Sequence, residues 1–304
     1  MNHAYRLAKL KIESDLALPD LTPWDGPATS PADIAFRLGT VPLRLEAPDR
    51  VEAIFQTRGR DEYLLTLPGT GRILIRGGRE VTIDVERNAD PVNTRALLTG
   101  PIQAVLWHQR GLLPLHANAV VIDGQTIALA GNSATGKSAL AATLAQYGHE
   151  ILADDICVID VDAPRVTALP GVACLRLWQD TLDRLGIASD GLSPALSGKE
   201  KFFVDRWSGC RTPRDLAAVV VLVRRTNNPL AIERLSGIAA VRALRDMVHT
   251  RRPASALGRD GEIFAAVTKI MASGVTVWRL HLPDDPACLG DAAAKVLHVL
   301  EEPR

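Results

Sequence analysis

Eight residues near the middle of the chain, Gly131-Asn-Ser-Ala-Thr-Gly136-Lys137-Ser138, constrain the fold most. They match G-x-x-x-x-G-K-[ST], the P-loop pattern, at every position. At ordinary glycine, lysine and Ser/Thr usage such a string arises by chance in roughly one chain in a hundred of this size. The flanks narrow it further. The apolar run Thr126 to Ala130 reads as a strand entering the loop, and the Ala/Leu-rich run Ser138 to Tyr147 as a helix leaving it. Gly148 is a natural stop for that helix. A second short strand, Glu150 to Ala153, then delivers two adjacent carboxylates, Asp154 and Asp155. The whole arrangement occupies about one βαβ length.

In such a loop the backbone N–H groups of Gly131, Asn132, Ser133, Ala134, Thr135, Gly136, Lys137 and Ser138 turn inward. They bind phosphate oxygens, helped by the positive end of the following helix. Lys137 is expected to bridge the β- and γ-phosphates of ATP, and Ser138 to offer its hydroxyl to Mg²⁺. Transfer to an alcohol needs one carboxylate on the metal and another accepting the hydroxyl proton. Asp154 and Asp155 are the candidates for both tasks. The pleat of a strand end would point the two in different directions. His116 precedes the strand–turn–strand that feeds the loop. A histidine there is ordinarily a satisfied structural residue, but its closeness to the P-loop across the hairpin makes it a candidate.

At 304 residues the chain can bury a sizeable core and suggests two domains or one large one. Lys plus Arg and Asp plus Glu are 35 each, so no basic excess exists to displace counterions from nucleic acid. No apolar run approaches membrane-spanning length, the longest being Leu216 to Val223. The first residues carry no secretory h-region, so the cytoplasm is the expected location, with neither membrane nor nucleic acid as partner. Cys157, Cys174, Cys210 and Cys288 show neither C-x-x-C pairing nor zinc-ligand spacing and are assigned no chemistry.

Residues 1 to about 90 read as a smaller, strand-rich N-terminal domain, structural or docking in role. Tyr5 to Ile12 and Asp33 to Leu38 alternate at period 2. Glu62 to Leu67, Arg72 to Arg76 and Val81 to Val85 form a meander, with turns at Pro68-Gly-Thr-Gly and Gly77-Gly78. Residues 91–110 read as a connecting helix, kinked or broken at Pro101. Residues 111–304 form the P-loop domain. There Asp123-Gly124 between apolar strands signals a hairpin. The strand entering the P-loop is then the second arm of an antiparallel pair. Further elements are a strand Ile156 to Asp160, a helix Gln179 to Gly186, a surface loop 187–200, and strands at Lys201 and at Leu216 to Arg224. Helices follow at Ile238 to Thr250 and Glu262 to Ala272, then a strand Val275 to Leu282 and a last helix from about 290 to 301.

His116, the hairpin, GNSATGKS and Tyr147-Gly-His-Glu-Ile-Leu-Ala-Asp-Asp, in this order, resemble the catalytic domain of the HPr serine kinase/phosphorylase family. The resemblance covers about residues 112 to 160. It implies an α/β P-loop kinase core of the HPr kinase/phosphoenolpyruvate carboxykinase type. It places His116 and Lys137 in the active site, Ser138 at magnesium and Asp155 as the proton acceptor; Asp154, its neighbour in the family motif, is then the metal candidate, and the two aspartates could also hold the reverse roles. The family's metal-binding glutamate has no counterpart near Pro170 to Trp178, and Pro213-Arg214-Asp215 replaces its G-R-N segment. That argues for one-way transfer. Thr181 to Gly186 resembles the segment bearing the family's phosphorylase arginine, at shortened spacing, which makes Arg184 a weaker candidate. The order of segments along the whole chain also resembles HPr-kinase-related proteins of bacterial peptide-modification clusters, some acting on lasso-peptide precursors. Lys201, with Lys199, is a further weak candidate by that likeness.

The expectation is thus an ATP- and Mg²⁺-dependent serine kinase acting on a protein or peptide, HPr-like or a lasso-type precursor. Related kinases assemble, so a homo-oligomer is implied as well. Two alternatives are a small-molecule kinase on the same core and a non-enzymatic ATP-binding regulatory module. A transport or motor ATPase is disfavoured, because the acids follow the P-loop helix too soon for a distant Walker B strand.

Overall fold

The computed structural model describes residues 3–224 and 229–302. It is a mixed α/β chain that divides into two compact units. The first comprises residues 1–112 with 195–198 and 250–262; the second comprises 113–194, 199–249 and 263–304. The stretch from 111 onward therefore does not form one unit throughout. Hydrogen bonds internal to the first unit show why. Thr57 Oγ1 donates to Ala256 O, and Arg259 donates to Gln109 O.

Among its described residues the first unit holds nine strands. They are β1 (His3–Leu7), β2 (Leu10–Ser14), β3 (Thr22–Pro23), β4 (Ile34–Leu38), β5 (Arg50–Val51), β6 (Phe55–Arg58), β7 (Glu62–Leu67), β8 (Gly71–Arg76) and β9 (Glu80–Val85). They make one sheet in the order β3-β1-β2-β4-β9-β8-β7-β6-β5. β7, β8 and β9 are the expected meander. The run Tyr5 to Ile12, expected as one strand, is instead a hairpin. The chain reverses at Ala8, whose φ is +56°, so Leu7 faces Leu10. Alternation survives on both arms, which is why the sequence conceals the turn. The helical segment is broken as expected into α1 (Pro91–Leu97) and α2 (Gln103–Gln109). Gly100 leaves helical geometry (φ −117°, ψ −109°) just before Pro101, whose ring cannot continue the ladder. Asp90 caps α1 by accepting from the N–H groups of Val92 and Asn93.

In the second unit β10 (Leu113–Ile122) and β11 (Gln125–Ala130) form the antiparallel hairpin. Asp123 and Gly124 take φ of +50° and +76°, as a type I′ turn requires. The loop 131–136 leads into α3 (Lys137–Gln146). β12 (Glu150–Ala153) and β13 (Ile156–Asp160) follow, both paired with β10. β14 (Thr167–Leu169) joins β13 to β17 (Arg214–Arg224), which pairs with β11 in parallel. β15 (Leu175–Trp178) and β16 (Lys201–Val204) make a separate two-stranded ribbon, with α4 (Gln179–Leu185) following β15. β18 (Ala231–Leu235) and β19 (Thr276–Leu282) complete the larger sheet beside β17. The remaining helices are α5 (Gly237–Asp246), α6 (Arg251–Ala256, part of the first unit), α7 (Asp260–Ala272) and α8 (Leu289–His298).

β17 is apolar along most of its length because it is covered on both faces, the usual reason for a continuous Val/Leu run. Its Val220 and Leu222 share a core with Ile127 and Leu129 of β11, Leu140 and Leu144 of α3, and Val296 of α8. α3 can come close to the sheet because Ala141, Ala142 and Ala145 fill its inner face. This packing fixes where the P-loop helix starts. Leu144→Ala, at a fully buried position, is expected to lower the unfolding free energy by about 2–5 kcal/mol. Urea unfolding followed by circular dichroism would measure it.

Candidate active site

Three backbone contacts bring the functional segments together. Gly131 N donates to His116 O (3.3 Å), and Ala117 N donates to Asp155 O (3.1 Å). Asp154 N donates to Val172 O (2.6 Å). The first half of β10 thus pins both the start of the P-loop and the turn that carries the two carboxylates.

The loop 131–136 is shaped by positive-φ backbone at three positions. Gly131, Ala134 and Gly136 have φ of +157°, +64° and +97°. A Cβ on Gly131 would lie 2.7 Å from Thr135 Oγ1 and 3.0 Å from the carbonyl of Leu222, so space favours glycine there, while at Gly136 the left-handed backbone does. α3 starts at Lys137 and directs its free N–H groups into the loop. The Lys137 ammonium donates to the carbonyls of Gly131 (2.8 Å) and Asn132 (3.1 Å) and lies 3.2 Å from His116 Nε2. Burial is the main force lowering its pKa to about 8; Asp155 and Asp154 oppose that, while Lys201 and Arg176 add to it.

Asp154 and Asp155 lie between β12 and β13, in a turn rather than on a pleated strand end. Asp155 sits at φ +66°. The two carboxylates do point to different neighbours, but through the turn. Asp154 is buried, its side chain 1 % exposed. Its Oδ1 accepts from Asn118 Nδ2 (2.6 Å) and Ser138 Oγ (3.3 Å). Asp155 Oδ1 lies 3.1 Å from His116 Nε2. Arg176, on β15, bridges the pair: Nε lies 2.9 Å from Asp154 Oδ2, and a terminal nitrogen 2.9 Å from Asp155 Oδ2.

Burial works to raise the Asp155 pKa. The hydrogen bond with His116 and the charges of Arg176, His116 and His249 outweigh it and hold the carboxyl well below its usual range. Arg176 is kept charged in the same way: burial opposes the charge and the two aspartates overcome it. His116 Nε2 can serve only one neighbour at a time. Protonated, it donates to Asp155; unprotonated, it accepts from Lys137.

Asn118 faces both Ser138 Oγ and Asp154 Oδ1 with its Nδ2, while its Oδ1 is buried with no hydrogen-bond partner among the described residues. Its amide orientation is fixed by the carboxylate, which can only accept. Ser138 Oγ and Asp154 Oδ1, 3.3 Å apart, are hard oxygen donors of the kind a divalent cation takes.

His116, Lys137, Ser138, Asp154 and Asp155 are thus brought into one cluster, with the loop residues 131–136 at its edge. Lys201 borders it. Its Nζ lies 5.4 Å from the Trp178 ring centre, and its pKa is lowered by burial and then by Arg176, against the pull of Asp154 and Asp155. Arg184 is not brought in. Its guanidinium pairs one turn away with Asp180 on the exposed side of α4. Lys199 is exposed in the loop before β16.

Sequence reasoning missed Asn118, Arg176 and His249. Asn118 lies two residues from His116 on one strand and so on the same face. That signal was available. Arg176 alternates with the buried Leu175 and Leu177 on β15, a pattern that reads as an outward-facing charge, so its buried partners are visible only in the fold. For His249 there was no signal, since only the tertiary fold places it there. Cys157 is fully buried, which pushes its thiol up to about 12, in keeping with an unreactive role.

Comparison with protein-family models finds no match, and comparison with curated proteins finds none. Among solved structures the chain is similar to the HPr(Ser) kinase/phosphatase from Coxiella burnetii. That likeness has 14 % identity and a TM-score of 0.31, and covers 62 % of this chain and 88 % of the other. Among the described residues no helix is long and apolar enough to cross a membrane.

Proposed function

We propose that this chain is an ATP- and Mg²⁺-dependent kinase that transfers the γ-phosphoryl group to a serine hydroxyl of a protein or peptide. The observation that carries the reading is Asp155. It is an ionised carboxylate held by His116 and Arg176 beside the P-loop lysine. A carboxylate of such low basicity orients the hydroxyl first and takes its proton late, which suits a loose transition state with little early bond formation. Lys137 and the loop amides stabilise charge on the transferring group, and the pinned β10 contacts hold these parts in register. Ser138 and Asp154 would hold magnesium, which when bound neutralises charge on the β- and γ-phosphates. The serine-bearing acceptor is drawn from the sequence resemblance.

The test is incubation with γ-labelled ATP and Mg²⁺ in the presence of HPr and of candidate precursor peptides. Label on a serine is expected. Label on a metabolite would point to the small-molecule kinase, and label found only as inorganic phosphate would overturn the kinase reading.

Lys137 gives a pH signature. Phosphate favours the ammonium, so binding raises this pKa from about 8. Above that pH the free protein has lost the proton and must take one up on binding. ATP affinity is therefore expected to be flat near pH 7 and to fall up to about tenfold per unit above pH 8. Calorimetry in buffers of different ionisation enthalpy would show the proton uptake. The sign for stability is opposite: the depressed pKa costs the fold stability below pH 8, and this cost is relieved as pH rises toward the ordinary lysine value.

A further inference from the structure

The segment 247–249, between α5 and α6, lies along the start of β10. His116 N donates to Met247 O (2.7 Å) and His249 N donates to Pro114 O (2.9 Å), with Leu115 bridged to Val248. This short antiparallel contact lays the His249 ring against that of His116, centroids 5.2 Å apart and planes at 83°. One ring nitrogen of each histidine and a carboxylate oxygen of Asp155 lie within 4.8 Å of one another. Two histidines and a carboxylate are ligands a transition metal takes. Here, however, Lys137 stands 3.2 Å from His116 Nε2 and Arg176 2.9 Å from Asp155 Oδ2, so a dication would face two fixed positive charges.

We propose instead that His249 is a positioning residue, whose ring holds the His116 imidazole so that Nε2 addresses Asp155. The groups facing His116 make this necessary. Nε2 is almost equally far from the Asp155 carboxylate (3.1 Å) and the Lys137 ammonium (3.2 Å), so small ring rotations change its partner. An edge-to-face neighbour restricts such rotation, because the ring edge and face are electrostatically complementary. The segment 247–249 thereby connects α5 to the site. The effect on catalysis rests on the kinase reading above; the effect on the His116 ring does not.

His249→Phe keeps an aromatic ring and His249→Ala removes it. The expected result is kcat within about threefold of native for the Phe variant and about tenfold lower for Ala, with ATP affinity unchanged in both. Ring-nitrogen NMR of His116 reads positioning without activity: its signals are expected to move in the Ala variant and to stay near native in Phe. Equal losses in both variants would overturn positioning and make the His249 nitrogen itself a reacting group. Unmoved His116 signals in the Ala variant would also overturn it. Zn²⁺ bound at micromolar concentration with loss of all three groups' free signals would overturn it in favour of a metal site. If the native protein labels no acceptor while the His116 signals respond as expected, the kinase reading fails and the positioning stands.

Discussion

Asp155→Asn is expected to reduce phosphoryl transfer by about 10³-fold while ATP binds as well as before, or more tightly. The variant is clean for a backbone reason. Asp155 sits at φ +66°, in the left-handed region that Asn and Asp tolerate best, so Asn enters without new strain. It can still accept one hydrogen bond from Arg176 and meet His116, so the turn keeps its shape. What disappears is the ability to take a proton. The variant also removes a negative charge next to Lys137, Arg176 and His116, which favours an incoming polyphosphate. Transfer rate and nucleotide Kd, measured on the same sample, check both halves. Undiminished transfer would show that another group is the acceptor. A regulatory module without catalysis would lose nothing in its ATP response.

The parts of this site that were legible are those whose signal is local. The P-loop needs a fixed glycine spacing, a lysine and a helix start, and all are contiguous from Gly131 to Gln146. The hairpin was legible because Asp123-Gly124 supplies two positive φ values in two residues. The carboxylates were legible as a pair, but the expected pleat was wrong: β12 stops at Ala153 and a turn aims them. Ile238 to Thr250 looked like one amphipathic helix. The helix stops at Asp246, because the backbone of Met247 and His249 is claimed by β10. That pairing spans more than 130 residues of sequence, and no window-based pattern registers it. The same limit hid α6, which contains Pro253, and the strands β6 and β18, whose partners alone define them.

Arg176 carries the second large effect, and it falls on stability before it falls on catalysis. Arg176→Met keeps much of the side-chain volume and removes the guanidinium that contacts Asp154, whose side chain is almost wholly buried. Removing one partner of such a pair costs about 3–5 kcal/mol, because a charge is left in a poorly solvating interior. Most of that cost falls on Asp154, since Asp155 is partly exposed and keeps His116. The pH dependence identifies the cause. In the native protein the Asp155 carboxyl is held below its ordinary value, so its contribution is fully present above the ordinary carboxylate pKa and disappears only in stronger acid. Without the guanidinium the Asp155 carboxyl binds a proton more readily, and a neutral carboxyl needs no counter-charge. The gap between native and variant is therefore expected to be widest near pH 7 and to narrow as pH falls toward the carboxylate range. Urea unfolding at several pH values would measure it. A gap that stays constant with pH would mean that Arg176 contributes packing, not charge. Under the proposed kinase reading catalysis is expected to fail along with it, because the same guanidinium holds both carboxylates. Arg176→Lys should recover part of the stability but little of the transfer, since a single ammonium cannot span both carboxylates in the fork geometry that Nε and the terminal nitrogen provide.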